Sequence, residues 1–437
     1  MPAIDLLIRG GTAVLPGGER KIALAVDQGK VVGHAETEAK NVVEATGLLV
    51  LPGAVDAHVH YNEPGREDWE GWKTGSRASR AGGATSVVEM PLNALPPTLD
   101  ADTFQKKRAV AEKKSCVDFA LWGGITPINL RQLEELGRAG AIGFKAFMID
   151  SGTSDFPGSD PVTLRQGMMV AAKLGLPVSV HAESPDSIRR RTEEIRKKGG
   201  TSVRDYLSSR PIETELEAIR LVCELAGETR CRIHIVHVSC PEGIEEIQKA
   251  RQRGVDVTAE TCPHYLVLTE EDMVRLGPPA KCAPPLRSAS ARKGLLQKIQ
   301  EGKVDTIGSD HSPAPGSMKT DPDFFKVWGG IAGCQHLVPL LFSAGLSPVE
   351  IARLTAENPA RRLGLYPRKG SLEIGSDADF ILVRPGVTEE VRVQDLLTTH
   401  PITPYLGMKL PARIEQVAVR GSLQPVAGKF LSPSSST

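Results

Sequence analysis

No run in this chain approaches the ~18 consecutive apolar residues that a membrane-spanning helix needs, so a helical membrane protein is excluded. The opening Met1-Pro2-Ala3-Ile4-Asp5 has no charged segment leading into an apolar stretch, so no secretory leader is expected there. Neither sign of charge is in excess: 53 Lys and Arg stand against 53 Asp and Glu. A chain without a basic field has little to attract nucleic acid or an anionic membrane surface. The segment 189–198 is locally basic, but its interleaved glutamates read as a solvated helix face. The seven cysteines are scattered, odd in number and free of any Cys-x-x-Cys pair. A disulfide framework is therefore not expected; reduced, buried thiols in a cytoplasmic protein are. Cys262, beside Pro263-His264, is better read as a small core hydrophobe than as a nucleophile. Internal repeats and low-complexity linkers are absent as well.

Among 437 residues, 40% are hydrophobic, enough for a large core and a smaller second unit. Both ends read as short strands between Gly, Pro and Asp turns: 6–9, 12–15, 22–26 and 30–33 at the start, 379–383 and 414–419 near the end. Neither end suffices alone, which predicts that 1–51 and 368–437 pair into one β-sandwich around an inserted domain, with a frayed tail over 432–437. Between them, 52–367 alternates strand and helix patterns. Strands are predicted at 55–60, 85–90, 117–122, 143–148, 177–181, 232–238, 255–261 and 304–309, with helices such as 214–226 and 241–253 between them. Eight such units predict a (β/α)8 barrel.

In such a barrel the chemistry sits at the C-terminal ends of the strands. His58 and His60 end the first strand, two apart and therefore on one face. Lys145 lies in the fourth, His181 ends the fifth, His237 the sixth and Asp310 the eighth. His234 and His237 are three apart, so a regular strand turns them to opposite faces; His237 is assigned inward and His234 toward the outer helices. His34 and His400 are read as surface residues and His336 as helical. His264 and His311 lie near the mouth, as supports for the ligands or as structural residues. Lys145 inside a packed barrel is either ion-paired with Asp310 or Glu183, or carboxylated by carbon dioxide into an anionic bridge. In the second case four imidazoles, the carbamate and Asp310 suffice for two divalent ions ~3.5–4 Å apart with a hydroxide between them. Zinc, cobalt, manganese, nickel and iron all accept such donors.

These residues resemble the amidohydrolase superfamily, and within it the cyclic amidohydrolases: dihydroorotases, hydantoinases and allantoinases. The likeness runs through Pro52-Gly53-Ala54-Val55-Asp56-Ala57-His58-Val59-His60, Gly143-Phe144-Lys145, Ser309-Asp310-His311-Ser312-Pro313 and the segment 369–379. Stretches such as Glu89-Met90-Pro91-Leu92-Asn93, Thr261-Cys262-Pro263-His264-Tyr265 and Trp328-Gly329-Gly330 look most like the allantoinase branch. Dihydroorotases carry an arginine where this chain has Asn62 and an asparagine where it has Leu92; hydantoinases carry a tyrosine where it has Asp150. The resemblance implies metal-dependent opening of the hydantoin ring of allantoin to allantoate. Asp310 would serve as proton acceptor and donor, and Asn62, Asn93, Ala283 and Ser312 as substrate contacts, although loop capping explains Asn93 and Ser312 equally well. It also implies a homotetramer or homodimer. Other hydantoinase-type substrates, and a non-catalytic scaffold, are the rival readings.

Overall fold

Eight parallel strands alternate with helices through the middle of the chain, at Ala54–Val59, Ala84–Glu89, Asp118–Leu121, Phe144–Phe147, Val178–His181, Ile233–Ile235, Val257–Thr261 and Thr306–Ile307. Each falls inside or within one residue of a segment predicted from the sequence. The third strand resumes past Trp122 as Gly123–Gly124, which pairs with the fourth. Pairing then runs strand to strand through Lys145↔Ser179, Ser179↔His234 and His234↔Thr258 to Glu260↔Thr306. A bridge between Val59 and His311 returns the eighth to the first and closes the barrel. The computed structural model describes residues 3–433.

The strand interiors are near-continuous Val, Ile, Ala and Phe, as expected for strands covered on both faces. The predicted helices run Ile212–Thr229 and Pro241–Gln252. The basic segment falls in Pro185–Lys197, where only Ile188 is buried, consistent with a solvated face. Among the described residues no helix is long and apolar enough to cross a membrane.

The two chain ends do combine. Phe380–Glu390 pairs antiparallel with Leu49–Pro52 in a five-stranded sheet completed by Lys409–Ala418, Thr12–Leu15 and Gly18–Lys21. A four-stranded sheet of Lys30–Gly33, Leu24–Asp27, Ile4–Arg9 and Ala39–Glu44 accompanies it. Leu6, Ile8, Leu24 and Val26 pack with Phe380 and Leu382 in a shared core. Gly18–Lys21 and Ala39–Glu44 escaped the sequence reading because they are edge strands with largely exposed side chains, which leave no alternation to detect. The last described stretch does not fray at once: Phe119 donates its N–H to Lys429, and Leu431 donates to Phe119. Of the predicted tail, 434–437 lies outside the described residues.

One buried cation joins the two units. Lys369 Nζ lies 2.5 Å from Asp118 on the third barrel strand, and 2.9 and 2.7 Å from Asp377 and Asp379 at the edge of the sandwich. The three carboxylates could crowd a metal ion, but the lysine already supplies the positive charge.

Candidate metal centre

His58 and His60 leave the first strand side by side, their rings 5.5 Å apart. The ring of His237 lies 5.5 Å from that of His58 and 4.6 Å from that of His181. Asp310 Oδ1 reaches to 3.2 Å from Nε2 of His58 and 3.6 Å from Nε2 of His60. Donor atoms of His58, His237 and Asp310 all fall within 4.8 Å of one another. Five residues from four strand ends thus converge, separated by up to 252 positions in the sequence (310 minus 58).

Local backbone strain supports this convergence. His237 and Asp310 hold φ at 42° and 46°, in the left-handed region that non-glycine residues seldom adopt. The twist at His237 corrects the alternation argument made from sequence. Regular strand ends at Ile235, and the left-handed residue turns His237 back into the barrel. His234 is not on the outer face. Its Nδ1 lies 2.7 Å from Thr258 Oγ1 and its Nε2 3.4 Å from Glu260, inside the barrel one layer below His237.

Lys145 is fully buried, and among the described residues its Nζ has no hydrogen-bond partner; it lies over the Phe147 ring, 5.1 Å from the centroid. The ion-pair reading fails here: among the described residues no carboxylate lies within ion-pairing distance of Lys145, Asp310 faces His58 and His60, and Glu183 is committed to His181 and Arg210 at 2.7 Å each. Burial pushes the Lys145 ammonium down to about 8, outweighing the pull of Asp310 and Glu260. An amine that deprotonates so easily is the form that reacts with carbon dioxide. Nδ1 of His60 and of His237 are likewise buried and unpartnered. This donor set, nitrogen and carboxylate with three orphaned buried nitrogens, fits divalent metal ions.

Carboxylates to which the sequence reading gave no supporting role, Glu183 having been weighed only as a partner for Lys145, support the ligands. Glu260 accepts from His58 Nδ1 at 2.7 Å. Burial opposes its ionisation, but His58 and His234 outweigh burial and hold it down to about 2. Glu183 is held down to about 2 as well, with Arg210 overcoming burial. Asp56 accepts from the backbone N–H of Ser309 and of His58, and burial raises it to about 6. The available signal was a carboxylate embedded in an apolar strand, as at Glu260 in Val257–Thr261.

Above the centre opens a cavity of about 440 Å³. Asn93, Ala283 and Ser312 line it, together with Asp150, Arg210 and the stretch 325–330. Asn62 does not. Its side chain is buried and donates to the Pro313 carbonyl at 3.3 Å, tying the first loop to the eighth. His311 serves structure, accepting from Gly333 N–H and facing Glu70 at 3.4 Å. His264 is buried against the Tyr265 ring, and among the described residues neither of its nitrogens has a hydrogen-bond partner. Cys262 is buried, and burial pushes its thiol well up, so it is no nucleophile at neutral pH.

The chain matches the amidohydrolase family over residues 49–423. It is 48% identical to an allantoinase of Rubrobacter xylanophilus, across 99% of this chain and 96% of that one. It is 47% identical to an allantoinase of Solibacter usitatus, across 96% and 93%. Among solved structures, the L-hydantoinase (dihydropyrimidinase) of Arthrobacter aurescens is similar at a TM-score of 0.94 and 32% identity, covering 98% of each chain. With a family match spanning barrel and sandwich strands alike, and near-full-length identity approaching one half, this chain belongs to the amidohydrolase family.

Proposed function

We propose that this protein hydrolyses the hydantoin ring amide of allantoin, giving allantoate. The observation that carries the reading is the convergence of His58, His60, His181, His237 and Asp310 with an unpartnered buried lysine beneath one cavity. The near-full-length likeness to allantoinases selects the ring. His58, His60, His181, His237, Asp310 and an N6-carboxylated Lys145 would hold two divalent ions, which supply Lewis acidity for the ring carbonyl and a hydroxide nucleophile at neutral pH.

The chain's own groups do the rest. Glu260 accepts the Nδ1 proton of His58 and so leaves Nε2 free to ligate. Glu183, itself held by Arg210, accepts from Nε2 of His181 and so leaves its Nδ1 free to ligate. Asp310 accepts the proton of the attacking water and passes it to the leaving ring nitrogen. Asn93, Ser312 and the backbone at Ala283 line the cavity and hold the ring and its ureido arm. Asn62 is set aside as a contact, because its side chain serves the loop after the eighth strand.

We further take 52–367 as the catalytic barrel, 1–51 with 368–437 as the sandwich unit, and a cytoplasmic homodimer or homotetramer as the working form. Zinc, cobalt, manganese, nickel or iron would suit the centre. The structural likeness to hydantoinases favours one alternative, ring opening of other cyclic amides. Turnover of allantoin, hydantoin, dihydrouracil and dihydroorotate by metal-loaded enzyme in bicarbonate buffer separates the two. Allantoin is expected to dominate; a preference for dihydrouracil or hydantoin would move the assignment to the alternative.

A further inference from the structure

Two lysines beside the cavity are buried without a carboxylate. Lys281 Nζ donates to the carbonyl oxygens of Phe324, Phe325 and Val327 at 2.6, 3.2 and 2.5 Å. Lys319 Nζ donates to those of Pro278, Trp328 and Gly330 at 3.3, 3.1 and 3.0 Å. Among the described residues neither amine has an acid within ion-pairing distance, and both side chains are buried. Each ammonium has three N–H donors, and each meets three carbonyls.

Five of these six carbonyls belong to one stretch, 324–330, which contains neither helix nor strand. Such a stretch has no ladder to satisfy its buried carbonyls, so the lysines do it. Residues 325–330 form one wall of the cavity. A third tie runs from Gly330 N–H to the Lys281 carbonyl at 2.7 Å. Gly330 sits at φ 135°, where an added Cβ would lie 2.3 Å from the Ser312 carbonyl, so wall and opposite loop touch backbone to backbone. A buried ammonium is a costlier filler than an aliphatic chain. What it provides here is a fixed position for a wall that has no secondary structure of its own.

We propose that Lys281 and Lys319 are positioning residues for substrate binding, clamping the cavity wall 324–330 by its backbone carbonyls. The proposal rests on the allantoin-hydrolysing reading only for the choice of substrate.

The clamp is charge-dependent, because loss of a proton removes one of three donors. Burial first, and then the like charges of Arg210 and Lys319, push Lys281 down to about 7, against the pull of Asp323; the Tyr206 ring lies 4.7 Å away. Burial pushes Lys319 down to about 8, against the Cys282 thiol. Substrate affinity should therefore fall as pH rises through this range, with KM climbing between about pH 7 and about pH 9.

The test uses metal-loaded wild type, Lys281→Met and Lys319→Met. Amide hydrogen exchange across 324–330 is measured against a barrel-strand peptide, and allantoin kinetics are followed over the same pH range. Both variants are expected to keep their metal content and to exchange this stretch about tenfold faster. KM should rise about tenfold with a much smaller change in kcat. Lys319 does not line the cavity, so it cannot act on KM by touching substrate. The wild-type rise of KM with pH should flatten in Lys281→Met. Unchanged exchange across 324–330 in folded variants, or faster exchange with unaltered KM, overturns the proposal. Should either variant fail to fold, the wild-type series decides: protection of 324–330 that holds constant, after correction for intrinsic rate, from about pH 7 to about pH 9 overturns it too. If wild type does not open allantoin at all, the functional reading fails, while the exchange data still judge the clamp.

Discussion

Glu260 accepts the Nδ1 proton of His58 at 2.7 Å, and this one hydrogen bond sets which ring nitrogen faces Asp310, 3.2 Å away. A carboxylate can only accept, so the imidazole must carry its proton on Nδ1 and present a bare Nε2. Glu260→Gln weakens that acceptor and removes the buried charge. Metal affinity should drop about 10- to 100-fold, read by competition with a chromogenic chelator. Undiminished affinity would show that the contact does not tune the ligand.

Among the described residues Lys145 Nζ has no hydrogen-bond partner; carboxylation would bring it one. Lys145→Ala should lose bound metal and nearly all turnover. Short carboxylic acids should restore part of both, because they replace the anionic bridge rather than the amine. Metal analysis before and after adding acetate or propionate tests this; restoration by a short amine instead would contradict the carbamate.

Asp310 holds φ 46°, a conformation asparagine adopts with less strain than most residues. Asp310→Asn should therefore fold normally, and its defect should report chemistry rather than backbone. Turnover is expected to fall roughly 10²- to 10⁴-fold, with the thermal midpoint little changed. Near-normal kcat would remove Asp310 from its proton-transfer role.

Lys369 pairs with three buried carboxylates across the junction of barrel and sandwich, alongside Arg420 on Asp118 and Lys30 and Arg368 on Asp377. Lys369→Met takes the cation from Asp379 and leaves Asp118 with only Arg420 and Asp377 with only Lys30 and Arg368, and should destabilise the fold by about 3–5 kcal/mol, measured by urea denaturation. The same contact makes the junction acid-sensitive. Burial would raise the Asp377 carboxyl, but Lys369 and Lys30 outweigh burial and hold it down to about 2 from an ordinary 3.8. A depressed carboxylate adds stability that is complete above its ordinary value and vanishes as pH falls through the depressed one. The thermal midpoint of wild type should therefore drop between pH 3.8 and about 2, and drop less steeply in Lys369→Met. Equal slopes would show that the contact contributes no pH-dependent stability.

The barrel strands were readable because each is a short apolar run ended by a polar residue, and His58 and His60 were readable because i and i+2 share a face. Lys145, His181 and Asp310 were found the same way. His234 was misassigned because alternation assumes regular strand, and the left-handed residue at His237 breaks it. Asn62 was placed at the substrate because it stands where dihydroorotases carry an arginine. Its side chain instead spends its donor on Pro313, a contact 251 residues away that no local pattern announces. Glu260, Arg210, Lys281 and Lys319 went unassigned for the same reason: a charged residue in an apolar segment shows that something must compensate it, without showing what.

Periodicity and spacing determined the eight-stranded barrel and the candidate donors at its strand ends, because these follow from which side chains can be buried along a single strand; the pairing of the two chain ends followed from neither being long enough to bury a core alone. Only the tertiary structure decided which carboxylate orients which imidazole, why Lys145 is left bare, and how two buried amines hold a wall of the cavity. Those contacts join residues from different strands and loops, and their energies exist only once the barrel has excluded water from between them.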